Sequence, residues 1–247
     1  MIVFDFDGVL INSLTEIAVN AYNVVTNSLH TDINEVDPSF IKLFKHNRHL
    51  AHKPEDFVVL AKWCHENAFH GPEQSLSTAK FNEMLEQETV PASQRLKTWF
   101  DTRKAFADKD LEAWLKLNYP YQPLWDALIK HGAENIVVLT TKNKNSVLDL
   151  SSHYGLNLLA KNVFSGESGI TKPANFHAIN KAFKQDTYTF IDDSLGNLIE
   201  IAENLPAESV QLMLASWGYV GSSDCAEAIK LGFQVCSQEE VISMLGE

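Results

Sequence analysis

The chain has 247 residues, of which 45% are hydrophobic and 21% are charged, and its formal net charge is −12. This is the composition of a globular protein and excludes a disordered chain. The excess of acidic residues disfavours binding to nucleic acids and to anionic membranes, because both depend on Lys and Arg side chains.

The start of the sequence and its cysteines bear on where the protein works. The opening residues, MIVFDFDG, contain neither a basic region nor an apolar segment of signal-peptide length, and no apolar run approaches the length of a transmembrane helix. Cys64, Cys225 and Cys236 are odd in number and stand at no metal-ligand spacing, which favours buried thiols in a reducing compartment. We therefore expect a cytoplasmic protein.

The first half of the sequence begins with one strand and continues as helices. The apolar run Ile2–Phe4 ends at Asp5 and is typical of a buried parallel strand. Ser13 and Glu16 then predict a capping box for a first helix. Further helices are predicted at Pro38–Phe44, Pro54–Phe69, Leu76–Glu88, Ala92–Ala107 and Leu111–Leu117. The proline-containing stretch that starts at Tyr119 ends this pattern.

The second half of the sequence alternates between strands and helices. Strands are predicted at Asn135–Thr141, Thr187–Asp193, Val210–Leu214 and Phe233–Cys236. Helices are predicted at Leu124–His131 and Ser146–Tyr154, from Pro173 onward, and from about Leu195 to Asn204. This alternation predicts an α/β fold with a doubly wound, Rossmann-like parallel sheet. We predict a core of residues 1–13 and 122–247, with an all-helical domain, residues 14–121, inserted into it.

Polar side chains follow the predicted strands where ligands gather in a parallel sheet, at the carboxyl ends of the strands. The residues expected at this edge are Asp5, Asp7, Thr140, Thr141, Asp192 and Asp193, with Lys172 in the loop before the helix at Pro173. Asp5 and Asp7 alternate along an extended stretch, so both carboxylates can project toward one site. The set offers a carboxylate nucleophile, an acid/base, a hydroxyl donor, a cation and a metal-binding acid, and it suits phosphate chemistry.

Four segments, in this order, resemble the motifs of the haloacid dehalogenase-like hydrolase superfamily. They are Asp5-Phe6-Asp7-Gly8-Val9-Leu10, Val138-Leu139-Thr140-Thr141, Thr171-Lys172-Pro173 and Phe190-Ile191-Asp192-Asp193-Ser194. The resemblance covers the whole predicted core, and the helical insertion lies where the family carries a helical cap. Phosphoglycolate phosphatase-like enzymes are the most similar subgroup by architecture.

The resemblance implies a Mg²⁺-dependent phosphatase that hydrolyses a small phosphorylated metabolite through an aspartyl-phosphate. Asp5 would attack phosphorus, and Asp7 would protonate the departing alkoxide and later deprotonate the attacking water. Thr140 would donate a hydrogen bond to the phosphoryl group, and Lys172 would neutralise its charge. Mg²⁺ would be held by Asp5, the backbone carbonyl of Asp7 and Asp193.

Some of these assignments leave alternatives open. Thr141 is the fallback for Thr140 in the second motif. Asn197 stands where many members of the family carry another acid, so Asp192 is a further candidate for holding the metal, directly or through its neighbours. Asp192 could instead cap the helix that follows it.

The helical insertion contains the most basic stretch of the sequence, Lys45–Lys53. Arg48 is the candidate for contacting the substrate, and the alternative is a solvated basic loop. The histidines of this stretch, His46, His49 and His52, lack a neighbouring Cys or acid that would complete a zinc site.

Two other functions remain open on the sequence alone. A phosphomutase would use the same chemistry but return the phosphoryl group to the substrate. A catalytically weak, phosphate-binding regulatory module would keep the fold without turnover, and Asn197 leaves this possibility open. By analogy with capped relatives we expect a small substrate. From the acidic charge we expect no nucleic-acid or membrane partner, and we further expect a monomer or weak homodimer.

Overall fold

The structure, a computed structural model, describes residues 1–71 and 74–246. Pro72, Glu73 and Glu247, which the predicted domain ranges include, lie outside the described residues. The chain divides into two compact units, one formed by Met1–Asn12 and Tyr119–Glu247 and the other by Ser13–Asn118. The predicted domain boundaries differ from these by a few residues. We call them the α/β unit and the helical unit.

The α/β unit is built on a parallel sheet. In chain order the strands are β1 (Ile2–Phe4), β2 (Ile11–Asn12), β3 (Tyr119–Pro120), β4 (Val137–Thr140), β5 (Val163–Ser165), β6 (Tyr188–Asp192), β7 (Val210–Ala215) and β8 (Gln234–Cys236). Six of them pair in the order β5-β4-β1-β6-β7-β8, and every pair is parallel. The short strands β2 and β3 pair antiparallel where the chain leaves and re-enters this unit.

The order of the strands is that of a doubly wound sheet. The chain starts in the middle at β1, places β4 and β5 on one side of it, and places β6, β7 and β8 on the other. The strand order therefore reverses around β1, and its carboxyl end lies between those of β4 and β6. The predicted α/β fold is confirmed.

Helices make up the second unit and flank the sheet in the first. Those of the helical unit are α1 (Leu14–Thr26), α2 (Pro38–Asn47), α3 (Pro54–Asn67), α4 (Thr78–Gln87), α5 (Ala92–Lys109) and α6 (Leu111–Lys116). Those of the α/β unit are α7 (Gln122–His131), α8 (Lys144–His153), α9 (Lys172–Phe183), α10 (Leu195–Asn204), α11 (Asp224–Lys230) and α12 (Gln238–Leu245).

Both faces of the sheet are buried, which is why its strands are nearly continuous apolar runs. On one face, Val3, Leu139 and Phe190 join a core cluster with residues of α9, α10 and α11. Their chain neighbours Phe4 and Val138 alternate to the opposite face and are equally buried. The sheet is thus fixed from both sides, and so are the residues at its strand ends.

The sequence did not reveal every element of the α/β unit. The strand β5 was missed because it spans only Val163–Ser165 and lies between short 3₁₀ turns, too short to show a period of two. The helices α11 and α12 were not predicted either. The strand is nevertheless essential to the layout, because it pairs with β4 and precedes the loop that leads to α9.

The helical unit has its own core. Its buried aromatic residues are Phe40, Phe44, Phe57, Phe81, Trp99, Phe106 and Trp114. The ring of Phe57 meets that of Trp99 edge-on at a centroid distance of 5.0 Å. These residues pack inside the unit.

The predicted capping box at the start of α1 is wrong. Ser13 makes no side-chain capping hydrogen bond to the helix. Glu16 is instead fully buried and accepts hydrogen bonds from Nε of Arg103 at 2.8 Å and from the indole of Trp114 at 3.0 Å. A second nitrogen of Arg103 binds the other oxygen of Glu16. A buried carboxylate requires such partners. Glu16 thereby joins α1 to α5 through Arg103 and to α6 through Trp114.

Replacing Arg103 by Met should destabilise the protein by about 3 kcal/mol, because it leaves the buried Glu16 carboxylate without its charged partner. Lys104→Met is the matched control, since Lys104 pairs with Asp108 on the surface of the same helix and such pairs contribute little. The free energy of unfolding from chemical denaturation measures both. Equal stability of the two variants would contradict the structural role assigned to the buried pair.

Candidate active site

Four predicted site residues lie at the carboxyl ends of neighbouring strands or directly after them. Asp5 follows β1, and its amide donates to the carbonyl of Ile191 at 2.8 Å, which extends the pairing with β6. Thr140 ends β4 and Asp192 ends β6, on either side of β1. Asp193 is the next residue after β6. The reversal of strand order at β1 therefore brings these side chains to one place.

Lys172 reaches this place from the start of α9. Its Nζ lies 2.9 Å from Oδ1 of Asp5 and 2.5 Å from Oδ2 of Asp192, and all three side chains are buried. The helix begins here because the Thr171 side chain caps it, accepting a hydrogen bond from the amide of Ala174 at 3.3 Å. One ammonium group thus bridges two carboxylates from different strands.

Burial governs the electrostatics of the site. Burial raises the pKa of the Asp5 carboxyl well above its ordinary value, Lys172 acts against this, and the nearby charges of Asp192 and Asp193 add to it. Burial alone would lower the pKa of Lys172, but Asp192 and Asp5 outweigh it and hold this pKa above its usual value. The lysine is therefore charged at neutral pH.

The acidic residues of the site fit a divalent cation. Ligand atoms of Asp5, Asp192 and Asp193 all lie within 4.8 Å of one another, and all three residues are buried. Three carboxylates against the single ammonium of Lys172 leave an excess of two negative charges when all are ionised. A hard, doubly charged cation with oxygen ligands balances that excess. Within residues 1–71 and 74–246, the histidines at positions 46, 49 and 52 form no comparable cluster.

Asp193 is held between two glycines. A Cβ at Gly8 would lie 2.0 Å from Oδ2 of Asp193, and a Cβ at Gly218 would lie 2.2 Å from Cβ of Asp193. The amide of Tyr219 donates to Oδ2 of Asp193 at 2.7 Å. No larger residue fits at either glycine without moving this carboxylate. The segment that contains Gly218 and Tyr219 is anchored further by Trp217, whose indole donates to the carbonyl of Val9 at 3.0 Å.

Asp192 is fixed by three donors. Besides Lys172, it accepts hydrogen bonds from the amide of Ser194 at 2.8 Å and from Nδ2 of Asn197 at 3.0 Å. The cap of α10 is Ser194, whose side chain accepts from the amide of Asn197, so the alternative of Asp192 as the helix cap is wrong. Asn197 directs its amide group at Asp192 and thereby holds a member of the acidic group in place.

Asp7 has a different environment from the other acids. Its Oδ1 accepts a hydrogen bond from Nζ of Lys142 at 2.9 Å. Its carboxylate is not part of the cluster that could hold a metal, so only the backbone carbonyl of Asp7 stays a predicted ligand. Lys142 was not among the site residues predicted from the sequence, although it stands only two residues beyond the end of β4. Counting the few residues that follow each strand end as site candidates would have included it.

The two threonines of the second motif differ in exposure. Thr140 is buried, and its Oγ1 accepts a hydrogen bond from the amide of Lys142 at 3.1 Å. Thr141 is exposed. The burial of Thr140 at the strand end favours it over Thr141 as the hydroxyl of the site.

Tyr121 also belongs to this region. From the sequence it was predicted only to lie in the proline-containing stretch that ends the run of helices. Burial raises its pKa, and the charges of Asp193 and Asp7 act in the same direction. The residue directly follows β3, so the segment that returns from the helical unit contributes a phenol close to the acids.

The basic stretch of the helical unit contacts other residues of the same unit. Arg48 donates to the carbonyl of Ala51 at 2.5 Å, and its guanidinium lies 4.2 Å from the centre of the Phe57 ring. His46 forms a hydrogen bond with the hydroxyl of Ser75 at 2.8 Å. The role of Arg48 in contacting the substrate stays a prediction.

Solved structures of other proteins share this architecture over nearly the whole chain. One described as a predicted phosphatase from Clostridium acetobutylicum has 13% sequence identity and a TM-score of 0.61, covering 99% of this chain and 96% of the other. A predicted phosphoglycolate phosphatase from Haemophilus somnus 129PT has 17% identity and a TM-score of 0.63, covering 99% and 96%. A haloacid dehalogenase-like family hydrolase from Streptococcus pneumoniae has 15% identity and a TM-score of 0.56, covering 98% and 96%.

No protein-family model matches the sequence, and neither does any curated protein. The likeness to the solved structures is one of fold, and it extends through both units of the chain. The chain has the haloacid dehalogenase-like fold. The resemblance predicted from the four motifs is thus confirmed at the level of the fold.

Within the haloacid dehalogenase-like fold, the four motifs occupy strand ends and the helix start that follows β5. Three motifs supply Asp5, Thr140 and Asp192 from adjacent strands, and the remaining one supplies Lys172. None of the described helices is both long and apolar enough to cross a membrane.

Replacing Gly8 by Ala should displace Asp193 and lower the phosphate release expected from the four motifs at least tenfold, because the new Cβ would overlap that carboxylate. Gly155→Ala is the matched control. Gly8 and Gly155 have similar positive φ angles, +88° and +80°, but nothing lies within 4 Å of a Cβ at Gly155. The control should lose about 1 kcal/mol of stability from backbone strain and keep its activity. Phosphate release and chemical denaturation measure the two effects; equal activity of both variants would contradict the close packing of Gly8 on Asp193.

Proposed function

We propose that this protein is a Mg²⁺-dependent phosphatase that hydrolyses a small phosphorylated metabolite through an aspartyl-phosphate on Asp5. The observation that carries the proposal is the contact of Lys172 Nζ with Asp5 Oδ1, 2.9 Å, within a group of three buried carboxylates. A buried lysine beside a carboxylate nucleophile orients that nucleophile and offsets the charge of an incoming phosphate. The fold shared with phosphatase-named structures agrees with this chemistry.

The first step transfers the phosphoryl group to the protein. An oxygen of Asp5 attacks phosphorus, and the bond between phosphorus and the ester oxygen breaks as the new bond forms. Asp7 gives its proton to the departing oxygen, which leaves as an alcohol. Thr140 Oγ1 accepts a hydrogen bond from Lys142, so its own proton is directed elsewhere and can be donated to a phosphoryl oxygen.

The second step regenerates the carboxylate. A water oxygen attacks phosphorus of the aspartyl-phosphate while Asp7, now ionised, takes a proton from that water. The bond between phosphorus and Asp5 breaks, and inorganic phosphate leaves. Lys172 stays in contact with Asp5 and Asp192 throughout and offsets the returning negative charge.

Mg²⁺ would be held by the carboxylates of Asp5 and Asp193 and by the backbone carbonyl of Asp7, with Asp192 beside them. When bound, it supplies positive charge that neutralises the acids and the phosphate. The close packing of Gly8 and Gly218 on Asp193 leaves this carboxylate little room to move. We place the enzyme in the cytoplasm, acting as a monomer or weak homodimer on a substrate that is neither nucleic acid nor membrane-bound.

Asp5→Asn should lower phosphate release by at least about a thousandfold, because the amide oxygen cannot act as the nucleophile. Asp186→Asn, which makes the same change at an exposed position of the same unit, is the control and should match the wild type. Release of inorganic phosphate from p-nitrophenyl phosphate and from a panel of phosphorylated metabolites measures both. Substantial turnover by Asp5→Asn would overturn the proposal.

The same panel separates the phosphatase from a mutase and from a module without turnover. Steady release of phosphate in the presence of Mg²⁺ is the result we expect. Isomerised sugar phosphate without phosphate release would indicate a phosphomutase, and binding without any conversion would indicate a regulatory module. Arg48→Ala, compared on the same panel, tests whether this residue of the helical unit selects the substrate.

A further inference from the structure

The ion pair between Asp7 and Lys142 is the feature of the site that the four motifs do not explain. Nζ of Lys142 lies 2.9 Å from Oδ1 of Asp7. The lysine is only 2% exposed, whereas the Asp7 side chain is 21% exposed. The ammonium group is therefore inside the protein, and the carboxylate it binds is partly exposed.

The backbone of Lys142 is fixed on both sides. Its amide donates to Oγ1 of Thr140 at 3.1 Å, and its carbonyl accepts from Oγ of Ser165 at 2.8 Å. Ser165 ends β5, and its own carbonyl accepts from Nδ2 of Asn175 on α9 at 2.8 Å. The turn after β4 is thus tied to β5 and through it to α9, so the lysine projects from a rigid support.

A buried ammonium group is unfavourable unless a charged partner offsets the loss of water. Asp7 is such a partner, and the contact restricts the carboxylate at Oδ1. Holding one oxygen of a carboxylate sets the plane of the group and hence the direction of Oδ2. When Oδ2 carries the proton, Oδ1 can still accept from the ammonium group of Lys142, so the contact is kept in the acid form. A general acid must present its proton within hydrogen-bond distance of the departing oxygen, so the direction of Oδ2 matters for the reaction.

We propose that Lys142 is a positioning residue that aims the carboxyl group of Asp7 at the departing oxygen of the substrate. The proposal rests on the function proposed above, in which Asp7 is the acid of the first step. Lys142 acts through Asp7 and takes no part in binding the transferred phosphoryl group. It is distinct in this respect from Lys172, which contacts Asp5 and Asp192.

The proposal predicts a loss that depends on the leaving group. An alkoxide needs a proton as it departs, whereas p-nitrophenolate is stable without one. In Lys142→Met, kcat/KM for an alkyl phosphate should fall by about a hundredfold, the scale of general acid catalysis. We would try glycerol 3-phosphate first and otherwise use the alkyl phosphate that the wild type cleaves fastest. For p-nitrophenyl phosphate, kcat/KM should change by less than about threefold, because its leaving group needs no proton. For both substrates kcat/KM reports the first step alone, so a slower second step does not affect the comparison.

A merely structural role for the ion pair would give a different pattern. Loss of packing or of metal would lower kcat/KM for both substrates by the same factor, and that result would overturn the proposal. Lys144→Met, which removes a positive charge two residues further on, is the control and should match the wild type on both substrates. Thermal unfolding checks that each variant is folded, and Lys142→Gln undergoes the same comparison if Lys142→Met does not fold.

A double-mutant cycle tests whether Lys142 works through Asp7. In the Asp7→Asn background, Lys142→Met should cause no further loss with the alkyl phosphate, because the acid it positions is already absent. A second, multiplicative loss would show that Lys142 acts independently and would refute the proposal. Failure of the proposed function gives another outcome: the wild type would release no phosphate, or Asp5→Asn would retain turnover.

Discussion

The arrangement of the whole site follows from one electrostatic constraint, the burial of Asp5, Asp192 and Asp193 within 4.8 Å of one another. Like charges at this distance, away from water, cannot all be ionised unless cations offset them. Lys172 supplies one positive charge and touches two of the three acids. The remaining excess is the physical reason to expect a divalent cation. Burial raises the pKa of Asp5, and the charges of Asp192 and Asp193 add to this effect.

The fold satisfies this constraint through the position of β1. Because the chain reverses its strand order there, the carboxyl ends of β4, β1 and β6 are neighbours, and side chains from different motifs meet at one edge of the sheet. Small residues then permit close approach, as Gly8 and Gly218 do on either side of Asp193. The two lysines of the site have different carboxylate partners. Lys142 pairs with Asp7, whereas Lys172 pairs with the buried acids.

The sequence was sufficient for the fold and for most of the site because both depend on short-range patterns. Strands that end in acids can be recognised one at a time, and the rule about strand ends then places Asp5 and Asp192 together. Pairings between distant residues cannot be recognised in this way. Glu16 looked like a helix-start residue, whereas its partner Arg103 lies 87 positions away. The position of Lys142 just after β4 could have been included, but its pairing with Asp7, 135 positions earlier, could not have been recognised.

The most direct test of the account is the location of a divalent cation in crystals grown with Mn²⁺, which replaces Mg²⁺ at oxygen sites and is visible by its anomalous scattering. The account predicts one peak bound by the carboxylates of Asp5 and Asp193, with Lys172 still in contact with Asp5. Crystals saturated with Mn²⁺ that show no peak among these acids, or show the ion elsewhere, would contradict it.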